Sequence, residues 1–149
     1  GEGDGVYHTM FQNIGARHPK NTAIDLGFNA ETSHRVYAGC DFFIMPSLFE
    51  PCGLGQLISL RYGTVPIVRR TGGLADTIVD YGAHPKNGNG FSFGGRFSGG
   101  LMKSIERALK LFEDKKRLKV LRKTGMKADF SWKTSAKEYA QLYKKMLSN

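Results

Sequence analysis

The chain has 149 residues, with 22 Lys and Arg against 13 Asp and Glu, for a formal net charge of +9. That length suits one compact domain, and 40% hydrophobic with 23% charged residues allows a buried core and argues against wholesale disorder. Two cysteines, Cys40 and Cys52, are too few for a disulfide scaffold or a Cys-based zinc site, and no apolar run approaches the roughly 18–20 residues that span a bilayer.

The opening, Gly1-Glu2-Gly3-Asp4-Gly5, is acidic and glycine-rich, unlike a secretory signal. The composition as a whole reads as a soluble globular domain of a reducing compartment. Val6, Met10, Phe11 and Ile14 then recur at helical spacing as far as Arg17, before Pro19. Thr22 to Leu26 is a short strand candidate closed by Gly27, and Glu31 to Ala38 reads as a short helix. Asp41 to Met45 is a continuously apolar strand stopped by Pro46, of the kind found in parallel sheets covered on both faces. A helix over Gly53 to Tyr62, a strand over Val65 to Val68, a helix over Leu74 to Asp80 and a strand over Phe91 to Phe93 continue the alternation.

That alternation predicts βαβ units and a Rossmann-like parallel sheet with helices on both faces. From residue 94 the pattern changes to a basic helical tail. Ser98 is placed to cap a helix whose apolar positions are Leu101, Met102, Ile105, Ala108, Leu109 and Phe112. Further helices are predicted over Lys115 to Lys127 and Trp132 to Leu147. Residues 1–100 carry eight basic and eight acidic side chains, so the entire excess charge lies in the tail. No repeat or internal domain boundary is evident. The glycine-rich opening has no strand before it, although such turns normally follow one, so the chain reads as part of something longer.

The stretch with most chemical content is Phe42 to Leu57, where a buried strand leads through a short loop into a helix start. Ligands of open α/β sheets bind at the carboxyl ends of strands, and helix starts present unpaired N–H groups that favour phosphate. Gly53 and Gly55 remove side chains where a ligand approaches the backbone. Glu50, just ahead, is either an acceptor for sugar hydroxyls or an ordinary acid near a helix N-terminus. Arg69, Arg70 and Thr71 precede a second glycine turn, Gly72-Gly73, which either lines the same cleft or is purely structural. Cys52 at the helix start is a candidate nucleophile, but no His neighbours it in sequence, and packing or loop shaping is the simpler role. Cys40 reads as a core residue. His8, His18, His34 and His84 show no metal-ligand spacing. His34-Arg35 either lines a nucleotide pocket or sits at the surface.

The string Ser47-Leu48-Phe49-Glu50-Pro51-Cys52-Gly53-Leu54-Gly55-Gln56-Leu57 closely resembles the S-x-F-E-P-C-G-L-x-Q-L signature of bacterial glycogen synthases and plant starch synthases. Arg61-Tyr62-Gly63-Thr64-Val65-Pro66 resembles their R-Y-G-T-x-P. Residues Arg69 to Thr77 resemble their R-x-T-G-G-L-x-D-T. Gly90-Phe91-Ser92-Phe93, Phe130-Ser131-Trp132 and the G-x-G-D opening also recur there, in the same order, across essentially the whole chain.

The resemblance implies the nucleotide-sugar half of a GT-B enzyme, with two Rossmann-like domains and the active site in the cleft between them. It implies retaining transfer of glucose from ADP-glucose to the 4-hydroxyl of an α-1,4-glucan, with no metal or other cofactor. By motif, Glu50 holds donor glucose hydroxyls and the backbone around Cys52, Gly53, Leu54 and Gly55 faces the diphosphate. Thr71, Gly72 and Gly73 join the donor site. Leu26-Gly27-Phe28 resembles a segment whose aromatic ring stacks on adenine, which makes Phe28 the base platform. Related retaining transferases carry E-x7-E across this turn, whereas the residue here at that spacing is Ile58. The family's R-L-x-x-Q-K-G anchors and its glucan-binding N-terminal domain lie upstream of this sequence. The fragment alone is therefore expected to be inactive. Its expected partners are ADP-glucose or ADP, with glucan held mainly by the N-terminal domain, and no membrane. The setting is the cytoplasm of a prokaryote or the plastid stroma of a plant.

Two rival classes weigh less. Fourteen Lys and Arg in residues 101–149 would serve a nucleic-acid-binding module, but they interleave with helical apolar positions and carry no reader motif. A dinucleotide-dependent oxidoreductase fails on the G-x-G-x-x-G spacing, since position 6 is Val6.

Overall fold

The computed structural model describes residues 3–148. Gly1 and Glu2, with which the glycine-rich opening begins, lie outside the described residues. The chain divides into two compact units, one ending at Val36 and the other beginning at Tyr37, a division the sequence pattern does not announce. The change of composition at residue 93 falls inside the second unit.

In the first unit α1 (Gly5–Arg17) has the expected span but buries no residue fully. The segment 22–26 is not a strand: it has no ladder partner among the described residues. Ile24 lies against α1 instead, so close that a Cβ on Gly15 would meet its Cγ1 at 3.0 Å. β-branched residues favour extended backbone, but a strand also needs a neighbour to pair with. Phe28 follows the bend at Gly27 and is exposed, and Asn29 then accepts the Thr32 N–H at 2.9 Å where α2 (Ala30–Gly39) opens.

The second unit contains a parallel sheet in the order β1 (Phe42–Met45), β2 (Val65–Arg69), β3 (Phe91–Phe93). Phe42 pairs with Val65 and Met45 with Val68; Ile67 pairs with Phe91 and Arg69 with Phe93. Between them run α3 (Gly55–Tyr62) and α4 (Gly72–Thr77), followed after β3 by α5 (Ser98–Glu113), α6 (Lys115–Lys127) and α7 (Trp132–Leu147).

The central strand explains the layering. Val65 and Ile67 join Phe91, Phe93, Ala108, Leu111, Leu118 and Leu121 in one core, which places α5 and α6 on one face. Val68 turns the other way, into a core with Leu60, Leu74 and Ile78, contributed by α3 and the α4 region. A strand buried on both faces reads as an unbroken apolar run, and this one does. The sheet with helices on both faces is the architecture expected from the sequence.

Three local differences have simple causes. Ser98 is the first helical residue of α5 and not its cap; Phe97 holds the cap position with no side-chain bond. Cys40 is exposed and outside the core. α4 spans Gly72–Thr77, so it starts two residues before Leu74 and stops three short of Asp80, where the backbone turns extended at Ile78. α7 has its expected span and no buried residue; Trp132 is 86% exposed. No helix among the described residues is long and apolar enough to cross a membrane.

Candidate functional site

β1 ends at Met45, and residues 46–54 form the loop that carries it into α3. The helix begins at Gly55, two residues later than the sequence suggests. Gly53 is the reason: its φ of 71° is left-handed, a conformation that cannot continue into a right-handed helix. Leu54 takes the cap position without a side-chain acceptor, so the first N–H groups of α3 are left uncapped. Among the described residues, the N–H groups of Gly53, Leu54 and Gly55 donate no hydrogen bond.

The loop is held from behind by the turn after β2. The Gly73 N–H donates to the carbonyls of Glu50 and Pro51, each at 3.1 Å. Arg69 Nε donates to the Pro46 carbonyl at 3.1 Å, and Thr71 Oγ1 to that of Leu48 at 3.4 Å. The two backbones nearly touch. A Cβ on Gly72 would fall 2.0 Å from the Glu50 carbonyl oxygen, and one on Gly73 would fall 2.0 Å from that of Cys52. Only glycine permits this approach, which gives the Gly-Gly pair a definite structural duty.

The sequence-predicted residues are distributed as follows. Glu50 is half-buried in the loop, where Ser47 Oγ donates to its Oε2 at a long 3.5 Å. Its carboxylate thus retains acceptor capacity for a ligand. Cys52 exposes its thiol, and it is its carbonyl that shapes the loop, accepting from Gln56 Nε2 at 3.1 Å. Leu54 is largely exposed beside Gly53 and Gly55. Thr71, Gly72 and Gly73 adjoin this group, with the Gly73 N–H already engaged by the loop. Phe28 belongs to the first unit, where its ring is 84% exposed. Arg35 of the same unit forms an exposed ion pair with Glu31. Arg69 stacks over the Phe93 ring, 5.1 Å from its centroid, which together with its bond to Pro46 makes it a structural cation.

Two contributors escaped the sequence reading. Ser47 was quoted only as part of a motif, yet it supports the Glu50 carboxylate. Gln56 is fully buried at the start of α3 and ties the loop's carbonyls to the helix. Its signal was a polar residue among apolar ones (Leu54, Leu57, Ile58) at a helix start, where a buried carboxamide must find partners.

The family described as glycosyl transferases group 1 matches residues 3–128. The chain is 47% identical over 148 residues to a glycogen synthase of Fervidobacterium nodosum, covering 99% of this chain and 30% of that protein. It is 52% identical over 145 residues to one of Desulforudis audaxviator, covering 97% and 29%. The chain therefore spans about 30% of the length of these curated relatives. Among solved structures it is similar to the catalytic domain of starch synthase IV from Arabidopsis thaliana bound to ADP and acarbose. That match has a TM-score of 0.80 at 34% identity, over 98% of this chain and 31% of that one. A sucrose-phosphate synthase from Thermosynechococcus elongatus shares the fold, with a TM-score of 0.66 at 22% identity over 99% of this chain and 36% of that one.

Proposed function

We propose a function from one premise, that the chain belongs to the family of glycosyl transferases group 1. In this reading it is the donor-side domain of a glycogen or starch synthase, which transfers glucose with retention from ADP-glucose to the 4-hydroxyl of an α-1,4-glucan. The observation that carries the proposal is the loop after β1, which holds a carboxylate with spare acceptor capacity and three N–H groups that find no acceptor among the described residues.

Each group then has a chemical task. The N–H groups of Gly53, Leu54 and Gly55, at the positive end of α3, meet the diphosphate. Glu50 accepts hydrogen bonds from glucose hydroxyls and so orients the anomeric carbon. Phe28 offers a flat face to the adenine. Thr71, Gly72 and Gly73 act from behind, by fixing the loop. The reading calls for no metal ion and no other cofactor, and places the acceptor glucan mainly on a separate N-terminal domain. In a bacterium the reaction belongs to the cytoplasm, in a plant to the plastid stroma.

Transfer in such a cleft requires both walls, to hold donor and acceptor in reacting geometry and to exclude water. The test compares residues 1–149 alone with the complete enzyme in a radiolabelled glucose incorporation assay on glycogen. The complete enzyme is expected to use ADP-glucose, while the 149-residue chain transfers nothing and binds ADP no tighter than millimolar. Charge-assisted contacts are worth about 1.5–3 kcal/mol each, and two missing upstream cations account for that weakness. Turnover by the isolated chain would overturn the division of labour, and a complete enzyme inert toward ADP-glucose would overturn the donor assignment.

A further inference from the structure

Gln56, the second residue of α3, has no exposed surface. Its Nε2 lies 3.1 Å from the Cys52 carbonyl oxygen, 2.9 Å from that of Gly53 and 3.3 Å from Thr77 Oγ1. The Thr77 hydroxyl donates its single proton to the Gly73 carbonyl at 2.6 Å, so toward Gln56 it acts only as an acceptor. Three acceptors around one terminal atom identify that atom as the NH2 group. The other terminal atom, Oε1, is buried with no partner among the described residues. The orientation of this side chain is thus set by the main-chain carbonyls it serves, at the expense of its own acceptor.

That arrangement has a consequence on the opposite side of the loop. In a trans peptide the C=O and the N–H point in opposite directions, and the described residues contain no cis bond. Turning the Cys52 carbonyl inward to Gln56 aims the Gly53 N–H away from it. Turning the Gly53 carbonyl inward aims the Leu54 N–H away likewise. These are two of the three N–H groups that find no acceptor among the described residues. A peptide released from Gln56 is able to rotate, and a rotated peptide presents a carbonyl oxygen where an anion needs a donor. The fit around the carboxamide is close: a Cβ on Gly53 would lie 2.5 Å from Oε1.

We propose that Gln56 is a positioning residue, whose side-chain NH2 locks the 52–53 and 53–54 peptides so that the Gly53 and Leu54 N–H groups face a nucleoside diphosphate. The inference rests on the donor-site reading above and adds to it the group that presets its donors. Gln56 itself touches no ligand and acts through the backbone.

Proton–nitrogen correlation spectra of the 149-residue chain test this, with titration by ADP, inorganic pyrophosphate or adenosine carried well above millimolar. In the unsubstituted chain the Gly53 and Leu54 amide signals are expected to move with ADP and pyrophosphate and to stay put with adenosine. Gln56→Glu sets a carboxylate oxygen against two carbonyls, so at pH 8 those shifts should shrink at least tenfold. On acidification the protonated carboxyl regains a donor and the shifts should return. Gln56→Met has no donor at any pH and should show neither the shifts nor the recovery; it carries the test alone if the glutamate variant does not fold. A merely structural role for Gln56 predicts no such pH-dependent rescue. Full-size shifts in folded Gln56→Met, or in Gln56→Glu at pH 8, would sink the proposal. If ADP and pyrophosphate leave the Gly53 and Leu54 signals of the unsubstituted chain unmoved, the donor-site reading falls and the proposal with it.

Discussion

The turn after β1 and the turn after β2 are both glycine-rich, both follow a strand of the parallel sheet and both open a helix, yet their N–H groups are engaged differently. Around Gly53 to Gly55 the N–H groups find no acceptor among the described residues, and the carbonyls of Cys52 and Gly53 are tied inward. At Gly73 the N–H is consumed by the carbonyls of Glu50 and Pro51, while the Gly72 N–H finds no acceptor among the described residues. The glycines overlap in kind. Gly53 and Gly72 both have a left-handed φ, 71° and 41°, and at Gly72 and Gly73 the neighbouring backbone also leaves no room for a Cβ. One turn presents donors and the other braces it.

The largest expected effect comes from removing the chemistry while keeping the brace. In the complete enzyme Glu50→Ala should lower kcat/KM at least a hundredfold, about 2.7 kcal/mol of transition-state stabilisation. ADP affinity and unfolding midpoint should change little, since within the described residues the carboxylate has one long bond to Ser47. Steady-state kinetics beside calorimetric ADP titration checks this. Loss of ADP binding in a folded variant would move Glu50 from the sugar to the phosphates and blur the contrast between the turns.

Gly73→Ala attacks the brace and leaves every proposed ligand-facing residue in place. The added Cβ would lie 2.0 Å from the Cys52 carbonyl oxygen and 2.6 Å from its Cα, so backbone must move. Overpacking of this kind costs about 1–3 kcal/mol. The urea midpoint should fall, and the amide signals of residues 50–55 should shift although the substitution is 18 or more residues away in sequence. A neutral outcome would show that the two turns are not coupled. A smaller effect is expected at Phe28: in the complete enzyme Phe28→Ala should raise the ADP-glucose KM about tenfold, in line with roughly 1–3 kcal/mol for a stacked base. Stability should hold, because the ring is already exposed.

How far these roles were legible in the sequence follows the range of the interactions. Val65–Arg69 was readable because burial on both faces leaves an unbroken apolar run, and α5 and α6 because burial on one face leaves a helical period; β1, whose Ile44 is exposed, and α7, which buries no residue, carry the pattern without that burial. The strand–loop–helix pattern singled out Glu50, Gly53 and Gly55 as candidates, and the family motif sharpened that expectation. Gly72 and Gly73 were ambiguous, since what they touch lies about 20 residues earlier and leaves no trace in local spacing. Thr22 to Leu26 misled because strand propensity is local while pairing is not, and Ile24 found a helix instead. Gln56 passed unremarked because its partners are carbonyls, which every residue has.

The smallest effect concerns what steadies the brace itself. Asp80 lies three residues beyond α4 and accepts both Arg107 nitrogens, at 2.8 and 3.0 Å, and the N–H groups of Gly82, Ala83 and Ser92. Burial pushes its carboxyl up, but the Arg107 guanidinium and the Ser92 and Ala83 N–H groups outweigh burial and hold it below the ordinary aspartate value. A carboxyl depressed in the folded state stabilises the fold above the unfolded-state value, near 3.9, and that stabilisation is lost as pH falls below it. The gap in urea midpoint between the unsubstituted chain and Asp80→Asn should therefore be constant from neutral pH down to about pH 5, then close toward pH 3. Arg107 is 40% exposed, so solvent screens the pair and the gap should be modest. Because this cluster ties the segment after α4 to β3 and α5 and has no bond to the loop after β1, Asp80→Asn at pH 7 should leave the Gly53 and Leu54 amide signals where they are. If those signals moved, strain would be passing from α4 through Gly73 into the turn after β1, and the two turns would have to be treated as one mechanical unit.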